Sequence, residues 1–272
     1  MQRLNPGTSR GVVRRVVWWT LGAVIVAFGA FAAGADGPEV PDVAGRWLMI
    51  QELSTIADIP FLGEVRLTTT VGLFIDIVQD GTVLTMQDGY CFTDVELSTD
   101  LFVTDVPDAV MRAIRPEPRT ATLVEVDDRW HLIQDWHTEV RGAELDDPAN
   151  DPLPTYRSDP RLVDLDGDGH PGITLPAEIL GLLSGETYAV QRFRYRLYGS
   201  FIDDRLVVGL LDWTTEQRIL DASDALMMMP FEEHNDPDPK AHRFAMLRVD
   251  PYWTCDEIRT QLPVLRRFLD LI

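Results

Sequence analysis

Lysine is all but missing from this chain: Lys240 stands alone, and every other basic side chain is Arg. Bases of both kinds number 24 against 44 acids, a formal net charge of −20. So acidic a surface repels nucleic acid and anionic lipid, which excludes both as partners, and it favours cations and basic groups. Cysteine is scarce, at Cys91 and Cys255 only, and no zinc-ligand spacing occurs. Neither a Rossmann nor a P-loop glycine pattern is present. No Ser-His-Asp or Cys-His constellation can be recognised, so nothing nominates a catalytic residue. No cysteine lies near residue 35, which argues against a lipid-anchored N-terminus.

What is there begins with a leader. Residues 1–15 carry Arg3, Arg10, Arg14 and Arg15 and no acid; Val16 to Ala32 is apolar throughout; Ala33, Gly34 and Ala35 are small, and Asp36 follows. Basic, apolar and small-residue regions in that order predict a signal peptide over 1–35, cleaved before Asp36. The alternative is a retained N-terminal anchor, for which this apolar run is at the short limit. Cleavage makes the rest still more acidic and leaves no stable membrane anchor, and export places the protein in the periplasm or outside the cell. There Cys91 and Cys255 are expected to pair, the alternative being two buried thiols.

Residues 36–272 then read as a single all-β domain with a C-terminal helix. Period-2 alternation predicts strands over 45–51, 65–79, 82–87, 90–97, 120–126, 129–141, 186–201, 205–220 and 242–249. Asp80-Gly81, Asp88-Gly89, Asp127-Asp128 and Asp203-Asp204 read as the turns between them. Short helices are expected over 107–114 and 176–183, and a longer one over 256–272, where Ile258, Leu262, Leu265 and Leu269 recur at helical spacing. An acidic insertion occupies 142–176, and the repulsion among its carboxylates is expected to keep it open. Many strands joined by tight turns form an antiparallel meander, and closure would remove its edges. The expected architecture is a closed or nearly closed barrel, with a two-sheet β-sandwich as the alternative.

Gly45-Arg46-Trp47 resembles the Gly-x-Trp that opens the first strand of lipocalins. The resemblance implies a ligand-binding barrel, with Trp47 closing one end beside a late-strand Arg, here Arg248. It covers three residues and the general strand pattern, and lipocalins have no counterpart of the 142–176 insertion.

That insertion holds the sharpest motif, Asp164-Leu165-Asp166-Gly167-Asp168-Gly169-His170. Three alternating Asp can converge on one point, Gly169 permits the turn, and the His170 carbonyl can add a further oxygen. Calcium takes six to eight such hard oxygens. The stretch resembles the Asp-x-Asp-x-Asp-Gly loops of EF-hands, dockerins, thrombospondin type 3 repeats and FG-GAP repeats, which implies a calcium ion held by Asp164, Asp166, Asp168 and His170 in a structural role. It departs from them at Pro171, at Gly172 in the ninth position and at Leu175 in the twelfth. Asp159 and Glu178 are the nearest further carboxylates. A loop that binds nothing is the alternative.

Three other groups carry potential chemistry. Asp135, His137 and Glu139 fall on one face of the 129–141 strand, a row suited to acid–base work or a metal, or to the solvent face of a half-buried strand with Trp130 and Trp136 on the core side. Arg192, Arg194 and Arg196 form a row suited to an anionic ligand, or to a ladder with Asp212 and Glu216 on the next strand. Met227, Met228 and Met229 offer adaptable apolar surface. The expected function is an exported, calcium-loop-containing barrel that binds a small apolar or amphipathic ligand. The alternatives are a secreted hydrolase acting through carboxylates near the Asp loop, and an envelope interaction protein with no small ligand.

Overall fold

The computed structural model describes residues 39–59, 63–99, 102–104, 106–179, 183–228 and 232–272. The leader expected over 1–35, with its cleavage point, lies outside these residues. The strands are β1 (Gly45–Ile59), β2 (Gly63–Asp80), β3 (Val83–Leu97), β4 (Phe102–Thr104), β5 (Arg119–Val126), β6 (Arg129–Arg141), β7 (Ile173–Ile179), β8 (Leu183–Asp203), β9 (Leu206–Ala222), β10 (Glu232–Asn235) and β11 (Arg243–Arg248). Helix α1 spans Asp108–Ala113 and α2 spans Cys255–Leu269. All strand pairings are antiparallel. Eight strands close a ring in chain order, β1-β2-β3-β5-β6-β8-β9-β11 and back to β1. Strand β7 extends the sheet beyond β6 along β8, β4 pairs with β7, and β10 with β1.

Alternation decides what each strand buries. On β1, Trp47 and Met49 enter the interior with Leu73, Ile75, Met86, Leu197 and Met246. Leu48 and Ile50 point outward, where α2 covers them with Ile258, Leu262, Leu265 and Leu269. Helix α2 begins at a capping box: Thr254 accepts from the Glu257 N–H, and the Glu257 carboxylate accepts from the Thr254 N–H at 2.6 Å. It continues through Pro263. Cys91 on β3 and Cys255 at its first residue form a disulfide, Cα–Cα 5.2 Å. Gly72 lies under the Phe92 ring, where a Cβ would come within 2.5 Å of ring carbon, so glycine permits the close approach.

Three expectations need correction. Asp88-Gly89 is no turn: β3 runs through it, because Leu84, Met86, Asp88 and Tyr90 share the inward face and Asp88 finds a buried partner there. No helix spans 176–183; residues 173–179 are β7, and Pro176 is accommodated because its carbonyl faces β4, accepting from Thr104, so its nitrogen lies off the β8 ladder. The 142–176 insertion is not held open by its own charge. Arg192 donates to the Pro148 carbonyl at 2.8 Å and to the Asp151 carbonyl, and Leu153 packs with Ala143, Val190 and Leu220. By contrast, Asp127 and Asp128 do form a hairpin turn, both at positive φ (52° and 59°), the geometry a two-residue connection demands.

Candidate functional site

The ring is filled at one end and hollow at the other. Around Trp47 the interior is solid, and Arg248 stacks over the indole at 5.6 Å while Trp47 Nε1 donates to the Val43 carbonyl at 2.9 Å. Further along the same strands the inward residues stop short of one another and leave a partly open cavity of about 270 Å³. Leu53, Val71, Phe193 and Trp213 supply apolar wall, and α1 adds Met111. Threonines interrupt it on five ring strands: Thr55, Thr69, Thr93, Thr187 and Thr215. This mixture of apolar wall and scattered hydrogen-bonding groups is typical of small-molecule sites, which run from about 300 Å³ upward, so this one is at the small end.

A buried polar network separates the solid and hollow ends. Arg119 (2% exposed) grips Asp88 (7%) with Nε to Oδ2 at 2.8 Å and Nη2 to Oδ1 at 2.9 Å. Nη1 of Arg119 donates to Gln134, and the Tyr195 hydroxyl donates to Asp88 at 3.3 Å. Beside it, Glu139 accepts from Arg141 Nε at 2.6 Å and from the Tyr90 hydroxyl at 2.9 Å. Tyr90 and Arg141 line the cavity. Burial, then the Glu139 charge, push the Tyr90 hydroxyl well above its usual range, and burial does the same to Tyr195. Burial alone would pull Arg141 down; Glu139 and Tyr90 outweigh it and hold the guanidinium charged. Burial and the Arg119 charge lower the His137 imidazole.

The network exists because β6 bulges. Its register on β8 shifts between Gln134 and His137, so Leu132 and Gln134 face inward before the bulge and Glu139 and Arg141 after it. The expected face is therefore split. Asp135 is exposed, apart from buried Glu139, and Trp136 is 41% exposed, outside the core. Glu139 was nominated from sequence, in the Asp135-His137-Glu139 row; Asp88, Arg119 and Arg141 were not. Their one legible signal is position, since Asp88 and Arg119 each continue an inward row of apolar residues.

At the acidic loop, one oxygen from each of Asp164, Asp166 and Asp168 lies within 4.8 Å of the others, a group that could hold a metal ion. Asp164 Oδ1 accepts from the N–H groups of Gly167 (2.7 Å) and Asp168 (3.2 Å), and Oδ2 from Gly169 (2.9 Å). Asp168 accepts from the His170 N–H at 2.8 Å and the Thr174 hydroxyl at 2.5 Å. Asp166 Oδ2 accepts from the Thr174 N–H at 3.0 Å, while its buried Oδ1 has no partner. Burial raises the Asp166 carboxyl; at Asp168 burial pushes upward too, but the bonds from Thr174 and His170 overcome it. The His170 ring stacks on Tyr188 at 4.0 Å, and its buried Nδ1 has no hydrogen-bond partner. Asp159 is engaged by Arg161 at 2.8 Å, and Glu178 accepts from Ser184.

The Arg row lies on the outer face of β8. Arg192 pairs with Glu216 (2.9 Å) and Arg196 with Asp212 (2.6 Å) on β9. Arg194 and Arg196 lie 5.6 and 5.0 Å from the Trp136 ring centre, so the indole that the bulge turns outward packs against the Arg row. Met227 is buried at the cavity wall and Met228 is exposed; Met229 lies outside the described residues. Among the described residues no helix is long and apolar enough to cross a membrane. No family model matches the chain, and no curated protein matches it.

Proposed function

We propose that this is an exported, lipocalin-like barrel that binds a small apolar or amphipathic ligand in the hollow end of its ring. The observation that carries this reading is the contrast along single strands. Trp47, Leu73 and Leu197 close up solidly, whereas Leu53, Val71, Phe193 and Trp213, on the same strands or their neighbours, surround about 270 Å³ of space. A chain that needed only stability would fill it, because an apolar cavity costs on the order of 24 cal/mol per Å³. The chain-order ring and the Arg248–Trp47 stack support the lipocalin-like reading.

The acidic loop, in this reading, holds a structural calcium ion. The support is its all-oxygen donor set and the buried, unpartnered Oδ1 of Asp166, an acceptor that a cation would satisfy. Asp164, Asp166 and Asp168 would hold the ion with the His170 carbonyl, and its charge would offset their mutual repulsion. Native mass spectrometry of the exported protein, with and without chelator, tests both parts. A co-purified small molecule and one chelator-sensitive calcium are the expected result; an apo, metal-free mass in millimolar calcium would overturn both.

A further inference from the structure

The cavity's inner end indicates which head group its ligand carries. Arg141 reaches it with Nε committed to Glu139 and the Tyr90 hydroxyl as a neighbouring partner, and no carboxylate or carbonyl among the described residues accepts a hydrogen bond from its two terminal nitrogens. Those donors face the partly open cavity, where a ligand oxygen that replaces water gains a charge-assisted hydrogen bond.

A carboxylate would be the usual match for a guanidinium, but the charge balance argues otherwise. The buried groups already cancel: Asp88 against Arg119, Glu139 against Arg141. Tyr90 and Tyr195 are kept neutral by burial, and His137 is pushed towards its neutral form. Among the described residues the remaining polar lining, the threonines with Gln51, Gln191 and Gln217, is uncharged, and the one further charged side chain, Glu233, is acidic. A ligand anion would be a third carboxylate among two buried guanidiniums, close to Glu139 and approaching a chain of net charge −20. An ammonium head would face Arg141 itself.

Building on the ligand-binding reading above, we propose that the cavity selects a neutral amphiphile with a carbonyl acceptor, an ester, ketone or amide, whose oxygen takes the terminal nitrogens of Arg141 while its hydrocarbon tail lies along Leu53, Val71, Phe193 and Trp213. The tail contributes affinity; Arg141 fixes which end enters first.

The test is competition against the neutral dye N-phenyl-1-naphthylamine on the exported full chain at pH 7.5. The competitors share a ten-carbon chain: methyl decanoate, decanoate, decylamine and decane. Methyl decanoate is expected to bind at least tenfold tighter than decanoate, decylamine or decane. Arg141→Gln alone strands Glu139, so the decisive variant is Glu139→Gln/Arg141→Gln, which removes both charges together. It should lower methyl decanoate to the affinity of decane and leave decane unchanged. If decanoate or decylamine binds as tightly as the ester, or the double variant keeps the ester preference, the head-group inference is wrong while the cavity reading stands. If neither the dye nor any competitor binds, the cavity reading itself fails.

Discussion

Replacing Arg119 with Met separates the buried network from ordinary core packing. In the native fold Asp88 accepts both guanidinium bonds of Arg119, at 2.8 and 2.9 Å, and a third from Tyr195. Removing the guanidinium leaves a buried carboxylate with one hydroxyl for company, which costs about 3–5 kcal/mol. For a domain of this size that is a fall of roughly 6–20 °C in melting temperature. Asp88→Leu alone strands Arg119 in the same way and costs a similar amount. The double variant Asp88→Leu/Arg119→Met strands no charge. It leaves only the Tyr195 hydroxyl and the Gln134 amide short of partners, at about 1–3 kcal/mol each. The two singles should therefore sum to more than the double, with a coupling of roughly 2 kcal/mol or more. Urea unfolding of the three variants and wild type measures it. Additive singles, or an Arg119→Met cost below about 1 kcal/mol, would show that water reaches this network, contrary to its burial.

Removing the disulfide by Cys91→Ala/Cys255→Ala should cost about 2–5 kcal/mol in the same assay, because it frees α2 from β3 and lengthens the unfolded chain's loops. Calcium at tenfold excess over its Kd should raise stability by about 1.4 kcal/mol, or roughly 2–4 °C. Asp166→Ala should abolish that shift in scanning calorimetry and Asp127→Ala should not. Burial lowers the basicity of His242, which accepts from Trp213 at 3.1 Å and the Ser54 N–H at 3.4 Å through Nδ1; burial likewise lowers His137. A depressed histidine stabilises the fold above its unfolded pKa and loses that contribution as pH falls. Unfolding free energy should therefore drop on acidification from about pH 6.5, by at most ~1.4 kcal/mol per pH unit for each histidine. Stability unchanged between pH 6.5 and 5 would contradict this reading of the two side chains.

Much of the ring was legible because its signals are local. Period-2 rows such as Leu73-Ile75-Ile77 and the turns at Asp80-Gly81 and Asp127-Asp128 specify strands and hairpins within a few residues. The amphipathic α2 was equally plain, though its capping box at Thr254 and Glu257 was not read. What sequence could not supply were features created by partners distant in the chain. Asp88-Gly89 reads as a turn until Arg119, 31 residues away, is known to meet Asp88. Pro176 reads as a helix start until β4 and β8 are known to flank it. The bulge in β6 carries no sequence mark, yet it turns Glu139 and Arg141 inward and Trp136 outward. The interior polar site was missed for that reason, whereas the Asp164–Asp168 cluster, built within five residues, was found.

The central claim is that the hollow end of the ring is a ligand site, and blocking it tests that claim most directly. Thr69 lines the cavity between Leu67 and Val71 on β2. Titration with N-phenyl-1-naphthylamine should show one saturable site per wild-type chain, and Thr69→Trp should abolish it while leaving the circular dichroism spectrum unchanged. No saturable site in wild type, or undiminished binding by a folded Thr69→Trp, would contradict the account.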